Sequence, residues 1–462
     1  MNSGQHDREM PSPGSDAKPL GLISASAIVA ASMIGAGVYT TSGFTLGSLQ
    51  DPFWVVVAWC VAGLVAVCGA VCYAALASEF TESGGEYLFL SRVLHPVTGV
   101  MAGWVSLLAG FSGALALAAT TFAQYAAFWQ ATGADTQWQG NAIAIGLVLV
   151  AAAQHSFGVK LGAIVQDISV GLKVLLIVAF IVIAILVQWP RDAVAESAAI
   201  ADTPLPTGFA FITIFATQLM WISLSYSGFN AAVYVAGEVN RPKRNVPRAM
   251  VLGTLLVTVI YVALNAIFVY APPSETIKMN PQVATAAAKA IGGDWFALFI
   301  RTIILIGLFT SVSALTMTGP RVYAKMAEEG FLPRVFRFQG DVPVVAIWIQ
   351  ACLAITVICV SDLKTLLGYL GFTLAVSAAL TASLVFRLHF KKESSVRVPL
   401  FPIPPIIFVC GTLLTAVLTA IDTPAHAIAG LITIGCGLLY YPWYRMRQPK
   451  KYAADAGTND GS

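Results

Sequence analysis

Ser32-Met-Ile-Gly-Ala-Gly-Val-Tyr39 lies inside an apolar run that covers residues 20–46. Two glycines spaced two apart weaken a helix, and in hydrocarbon a weakened helix bares N–H and C=O groups that no water can satisfy. Such a stretch survives in a bilayer only where its backbone lines a cavity or holds something. Fifteen residues separate Leu20 from Gly35, about 22 Å of helix, so the break falls near the middle of a hydrocarbon core roughly 30 Å thick. A half-helix that begins there aims its N-terminal N–H groups at the midplane, an arrangement that suits a carboxylate.

The chain around this stretch has the composition of an integral membrane protein. Of its 462 residues 57 % are hydrophobic and 11 % charged, with a mean hydropathy of +0.78. Soluble proteins carry far more charge. The seven cysteines sit in apolar runs without paired spacing, so neither a disulfide nor a metal site is expected. Nucleic acid is excluded as a partner for the same reason that the bilayer is included. Residues 1–19 are polar, lack a signal peptide's basic start and apolar stretch, and read as a disordered cytoplasmic tail.

Apolar runs predict an all-α protein of about twelve transmembrane helices at residues 20–46, 53–77, 97–128, 141–154, 161–187, 209–236, 250–270, 296–318, 344–360, 366–386, 406–420 and 426–441. Of the 26 Lys and Arg residues, only Arg191, Lys278, Lys289 and Lys364 then fall in outer loops, and Lys173 and Arg301 fall in or at the edge of spans. The rest are on the inner side, which places both termini in the cytoplasm, across what is read as the cell membrane. Aromatic residues, Trp129, Trp138, Trp189 and Trp295 among them, stand at span ends. Two inner loops, 79–95 and 238–248, carry charge beyond simple connection, and 283–290 in an outer loop is helix-favourable enough to form a lid.

Deep in the sixth span Ser223-Leu-Ser-Tyr-Ser-Gly-Phe-Asn230 forms a second break. This span runs inward, so its outer half ends in free carbonyls, which suit an ammonium group. N–H groups at one break and C=O groups at the other match the α-carboxylate and α-amine of an amino acid. A five-span offset is that of an inverted repeat.

Gly35-Ala36-Gly37-Val38-Tyr39 resembles the first-span Gly-x-Gly motif of the amino acid–polyamine–organocation (APC) permeases. Ser225 to Asn230, the following Gly237-Glu238-Val-Asn-Arg-Pro242-Lys-Arg-Asn-Val-Pro247-Arg-Ala249 and the loop with Gly84-Gly85-Glu86-Tyr87 resemble that family as well. The resemblance implies a LeuT-type fold: five-helix repeats at 20–187 and 188–390, two additional helices at 391–445, a tail at 446–462, and broken helices one and six. It implies a secondary transporter without cofactor, with the backbone of Met33, Ile34, Gly35, Ala36 and Gly37 on the substrate carboxylate. The backbone of Ser223 and Ser225 is assigned to the amine, Tyr226 or Phe229 closes over the substrate, and Gly228 and Asn230 complete the site.

Lys173 sits about twelve residues, roughly 18 Å, into the fifth span, too deep to reach the interface. An unpaired ammonium at that depth is costly, so the group can release and rebind a proton and stand in for a bound cation. Proton symport is the resulting expectation, against the alternatives of a lysine kept charged by Asp167 or by helix ends, amino acid exchange, or sodium coupling through Ser311 and Ser313. Arg301, near the outer start of its span, is expected to snorkel. With no Asp or Glu other than Asp167 deep in a predicted span, and with Asn230 where relatives that take basic amino acids often have an acid, neutral substrates are expected over cationic ones or polyamines. Catalytic motifs of enzymes are absent, as are the charged rings of a channel, and the short tails argue against a sensor. No partner subunit is evident.

Overall fold

The structure is a computed structural model that describes residues 20–80, 85–126, 137–156, 160–187, 207–234, 236–340, 342–391, 394 and 396–447. The tails, Asp167's side chain, Trp129, Trp189 and the chain between 188 and 206 lie outside the described residues. The described chain is helical throughout, with isolated bridges at Leu20–Val239 and Gln339–Val342 as the extended pairings among these residues.

The first apolar run forms α1 (Leu22–Met33) and α2 (Gly37–Leu49), bent by 42° at the break. It is followed by α3 (Pro52–Glu79), started by Pro52 and capped by Asp51, whose carboxylate accepts from Phe53 N–H at 2.8 Å. A short helix α4 (Glu86–Val93) precedes α5 (Pro96–Ala126), α6 (Gln137–Ser156) and α7 (Lys160–Leu186). Within α5 residues Ser106–Gly113 form a π-helical segment. The second part of the chain supplies α8 (Gly208–Ser225), α9 (Ala231–Tyr234), α10 (Pro242–Tyr270), α11 (Ser274–Ile277) and α12 (Val283–Glu328). It ends in α13 (Val344–Val360), α14 (Leu363–His389), α15 (Ile403–Asp422) and α16 (Pro424–Arg447).

Among the described residues eight helices are long and apolar enough to cross a membrane, or nine with the bent pair α1/α2 counted as one span. That is fewer than the twelve expected from hydropathy. Polar ends on α6 and the 17-residue length of α13 explain part of the difference. The side chains of residues 160–170 in α7 lie outside the described ones. Large apolar side chains face outward, with Val259 70 %, Val360 76 % and Leu439 81 % exposed, which in water would be a heavy cost and in lipid is the favourable side. The interior is built of small residues and of fully buried aromatics such as Trp59, Tyr73 and Tyr261.

The stretch 283–290 is helical, as its composition predicts, and forms the first turns of α12, where Val283, Ala284, Ala287 and Ala288 are buried and Gly292 and Gly293 leave helical geometry before the spanning part begins. Arg301 does not simply snorkel. Its Nε donates to Tyr125 O at 2.7 Å and its guanidinium reaches Gln282 Oε1 at 3.4 Å, while Gln282 Nε2 donates to Gln124 O at 2.8 Å. The cost of desolvating the guanidinium is offset by its bond to Tyr125 O at the end of α5. The charged stretch 238–248 is mostly not a loop: α10 begins at Pro242, and Arg241 precedes it with φ +50°.

Candidate binding site at the broken spans

At the first break α1 stops at Met33 and α2 starts at Gly37, so α1 ends in unshared carbonyls and α2 begins with unshared N–H groups. The carbonyl end is served by two other helices. Lys173 Nζ, from α7, donates to Ile34 O and, at 3.3 Å, to Ala31 O. Tyr261 OH, from α10, lies 2.6 Å from Met33 O and 3.1 Å from Ser225 O. One hydroxyl hydrogen therefore faces a carbonyl from each break. Lys173 is 3 % exposed, so its ammonium sits against the helix end much as a bound cation would.

At the second break α8 stops at Ser225, and residues 226–230 turn before α9. The turn partly closes on itself. Tyr226 N–H donates to Ser223 O at 3.1 Å and Ser227 N–H to Leu224 O at 3.0 Å. Ser225 O accepts from Tyr261 OH instead. Gly228 adopts φ +100°, open to glycine and strained for other residues, and a Cβ there would lie 2.8 Å from Ser32 O. The turn thus presses directly on the first break.

Both breaks line one cavity of about 330 Å³. Of the residues expected from sequence, Met33, Gly35, Ala36, Gly37, Ser225, Gly228, Phe229 and Asn230 are on its wall. Ile34 is not, its carbonyl being taken by Lys173. Ser223 and Tyr226 border a smaller neighbouring space of about 60 Å³. Tyr226 OH donates to Trp59 O at 3.1 Å and its ring packs on Trp59 and Tyr261, so it points between α3 and α10. Phe229 stands edge-on to Tyr73, with ring centroids 5.2 Å apart. Ser311 lines the cavity while its hydroxyl bonds Gly307 O at 2.9 Å; Ser313 faces His155 Nε2 at 2.8 Å instead.

The remaining wall includes residues that sequence reading did not assign to the site: Ser106, Gly110 and Phe111 of the π segment, Tyr234 of α9, and Glu86. A π segment widens a helix and frees backbone groups, and such segments concentrate at functional sites, but nothing in Ser106-Leu-Leu-Ala-Gly-Phe-Ser-Gly113 announces one. Glu86 comes from α4, which lies between spans and not within one. Tyr73 OH donates to its Oε1 at 2.6 Å and Ser377 Oγ to its Oε2 at 2.9 Å. Burial pushes this carboxyl above the ordinary carboxylate range, and the two hydrogen bonds pull it back.

The cavity extends from the breaks toward Glu86 and Tyr234. On the other side α2 and α8 close together: a Cβ on Gly37 would strike Ser225 Oγ, and one on Gly43 would strike Asn280 O of the segment after α11, where Met279 N–H donates to Gly43 O at 2.9 Å. α2 is therefore tightly packed on the α11 side.

A sequence profile described as amino acid permease matches residues 20–438. The chain belongs to the amino acid permease family. The resemblance to APC permeases drawn from the two breaks is thereby borne out. This permease is 26 % identical to the b(0,+)-type amino acid transporter 1 of Mus musculus over 92 % of its own length and 87 % of the relative's. It is 28 % identical to the large neutral amino acids transporter small subunit 2 of Oryctolagus cuniculus over 85 % of its own length and 74 % of the relative's. To the serine/threonine exchanger SteT of Bacillus subtilis the identity is 26 %, over 92 % of this chain and 96 % of that one. These relatives are amino acid transporters and not enzymes, so this permease is an integral membrane protein of amino acid transport.

Proposed function

We propose that this permease imports amino acids with uncharged side chains by alternating access across the two breaks, coupled to protons through Lys173. The reading includes a twelve-span LeuT-type architecture with both termini cytoplasmic in the cell membrane, and so a cavity that faces the cytoplasm on the Glu86 side. One observation carries it: Gly37 at α2's N-terminus and Ser225 at the end of α8 line the same cavity, and a helix N-terminus suits a carboxylate while a helix C-terminus suits an ammonium. The α-groups of any amino acid satisfy both, and the breaks themselves contribute Asn230 where an acid would select a cation.

Amino acid exchange is the second reading, favoured by Lys173 itself. Held by two carbonyls, it serves equally as a permanently charged plug, and a relative carries the name of an exchanger. Proteoliposomes containing only this protein separate the two. Labelled neutral amino acids accumulate under an imposed inward proton gradient without sodium if protons drive uptake. Uptake that appears only in vesicles preloaded with amino acid makes the protein an exchanger, and accumulation that needs sodium overturns the proton reading.

A further inference from the structure

Among the described residues, Glu86 is the one charged side chain on the wall of the main cavity. Its neighbours at hydrogen-bond distance, Tyr73 and Ser377, are neutral, and among the described residues no lysine, arginine or histidine forms an ion pair with it. Each carboxylate oxygen has accepted one hydrogen bond and keeps capacity for another. A carboxylate enclosed by protein without a counter-charge is expensive unless it takes up a proton or a cation reaches it. Protein on three sides, from α3, α4 and α14, leaves the cavity as the route for that cation.

The breaks use up the α-carboxylate and the α-ammonium of a bound amino acid. A third charge on the ligand would have to come from its side chain, and it would find Glu86 on the wall shared with Asn230 and Tyr234. We propose that Glu86 forms a side-chain subsite for cations, so that this permease also takes amino acids ending in an ammonium or guanidinium group, with Tyr73 and Ser377 holding the carboxylate in place. This goes beyond transport of neutral amino acids and rests on the reading that the breaks hold the α-groups. The expectation that basic substrates are disfavoured stood on the lack of an acid within the spans, and α4 supplies one from a loop.

The test compares lysine with norleucine, which has the same carbon chain without the terminal ammonium, as competitors of labelled alanine uptake into proteoliposomes. Lysine is expected to compete in the wild type. In Glu86→Gln, which keeps the shape but exchanges one acceptor oxygen and the charge for a donor NH2, the concentration of lysine needed for half-inhibition should rise at least about tenfold, as expected for losing a hydrogen bond to a charged group, with norleucine unchanged. Lysine that fails to compete in the wild type, or a Glu86→Gln variant that weakens both competitors equally, overturns the subsite. Absence of alanine uptake by the wild type would defeat the transport reading alone. In that case, or if the variant does not assemble, binding of lysine and norleucine to the wild type in detergent decides: tighter lysine upholds the subsite, and equal or weaker lysine removes it.

Discussion

Lys173 and Tyr261 do related work at the carbonyl end of α1. A half-helix that stops in mid-membrane strands acceptors that water would otherwise satisfy, and these two side chains bring the donors. For proton coupling, Lys173→Ala should abolish the dependence of uptake on a pH gradient, measured in proteoliposomes, while exchange of internal for external amino acid persists. Undiminished pH-driven uptake in that variant would defeat the coupling role. Tyr261→Phe removes the hydrogen shared between Met33 O and Ser225 O, leaving a buried acceptor unserved at a cost of about 1–3 kcal/mol. The unfolding midpoint in detergent should fall; an unchanged midpoint would mean that the hydroxyl does not hold the breaks together. Lys173 was legible in sequence because an ammonium deep in a span demands explanation. Tyr261 was not, because a tyrosine among apolar residues reads as packing until its hydroxyl is seen to have partners.

At the scale of elements, the turn at 226–230 and the π segment of α5 determine the cavity's shape. Gly228 is the position where the turn meets α1, and any side chain there combines a left-handed backbone with a contact on Ser32 O. Gly228→Ala is expected to lose transport at normal surface expression. Gly208→Ala makes the comparison sharp, since Gly208 also has positive φ, +61°, but nothing within 4 Å of its would-be Cβ. If both variants lose activity alike, backbone strain and not the approach to α1 is responsible. Sequence spacing found the breaks because glycine and serine loosen a helix wherever they cluster. It overextended the second one at its start, since α8 continues through Ser225: serine hydroxyls in an apolar helix do not by themselves end it.

Over the whole molecule, the cavity wall reaches from the breaks to Glu86 and Tyr234, while α2 packs tightly on α8 and on the segment after α11. Cysteine labelling in membrane vesicles checks this asymmetry. In a cysteine-free background, Ser106→Cys on the cavity wall should react with a thiol reagent applied from the Glu86 side, and Thr41→Cys, buried in α2, should stay protected from either side. Reaction at Thr41→Cys with protection at Ser106→Cys would mean that the resting protein faces the other way.

Composition and apolar run length by themselves determined that this chain is a helical membrane protein, because a bilayer accepts little else from so apolar a sequence. The two glycine- and serine-rich breaks and the deep lysine located the candidate site, since each is costly in lipid without a purpose. Only the tertiary structure decided which of those residues share a cavity: it turned Tyr226 toward α3, gave Ile34 O to Lys173, and set Glu86 on the wall from a helix between spans. A carboxylate's distance along the chain from a break says nothing about its distance in space, and burial without a counter-charge exists only once the helices around it have packed.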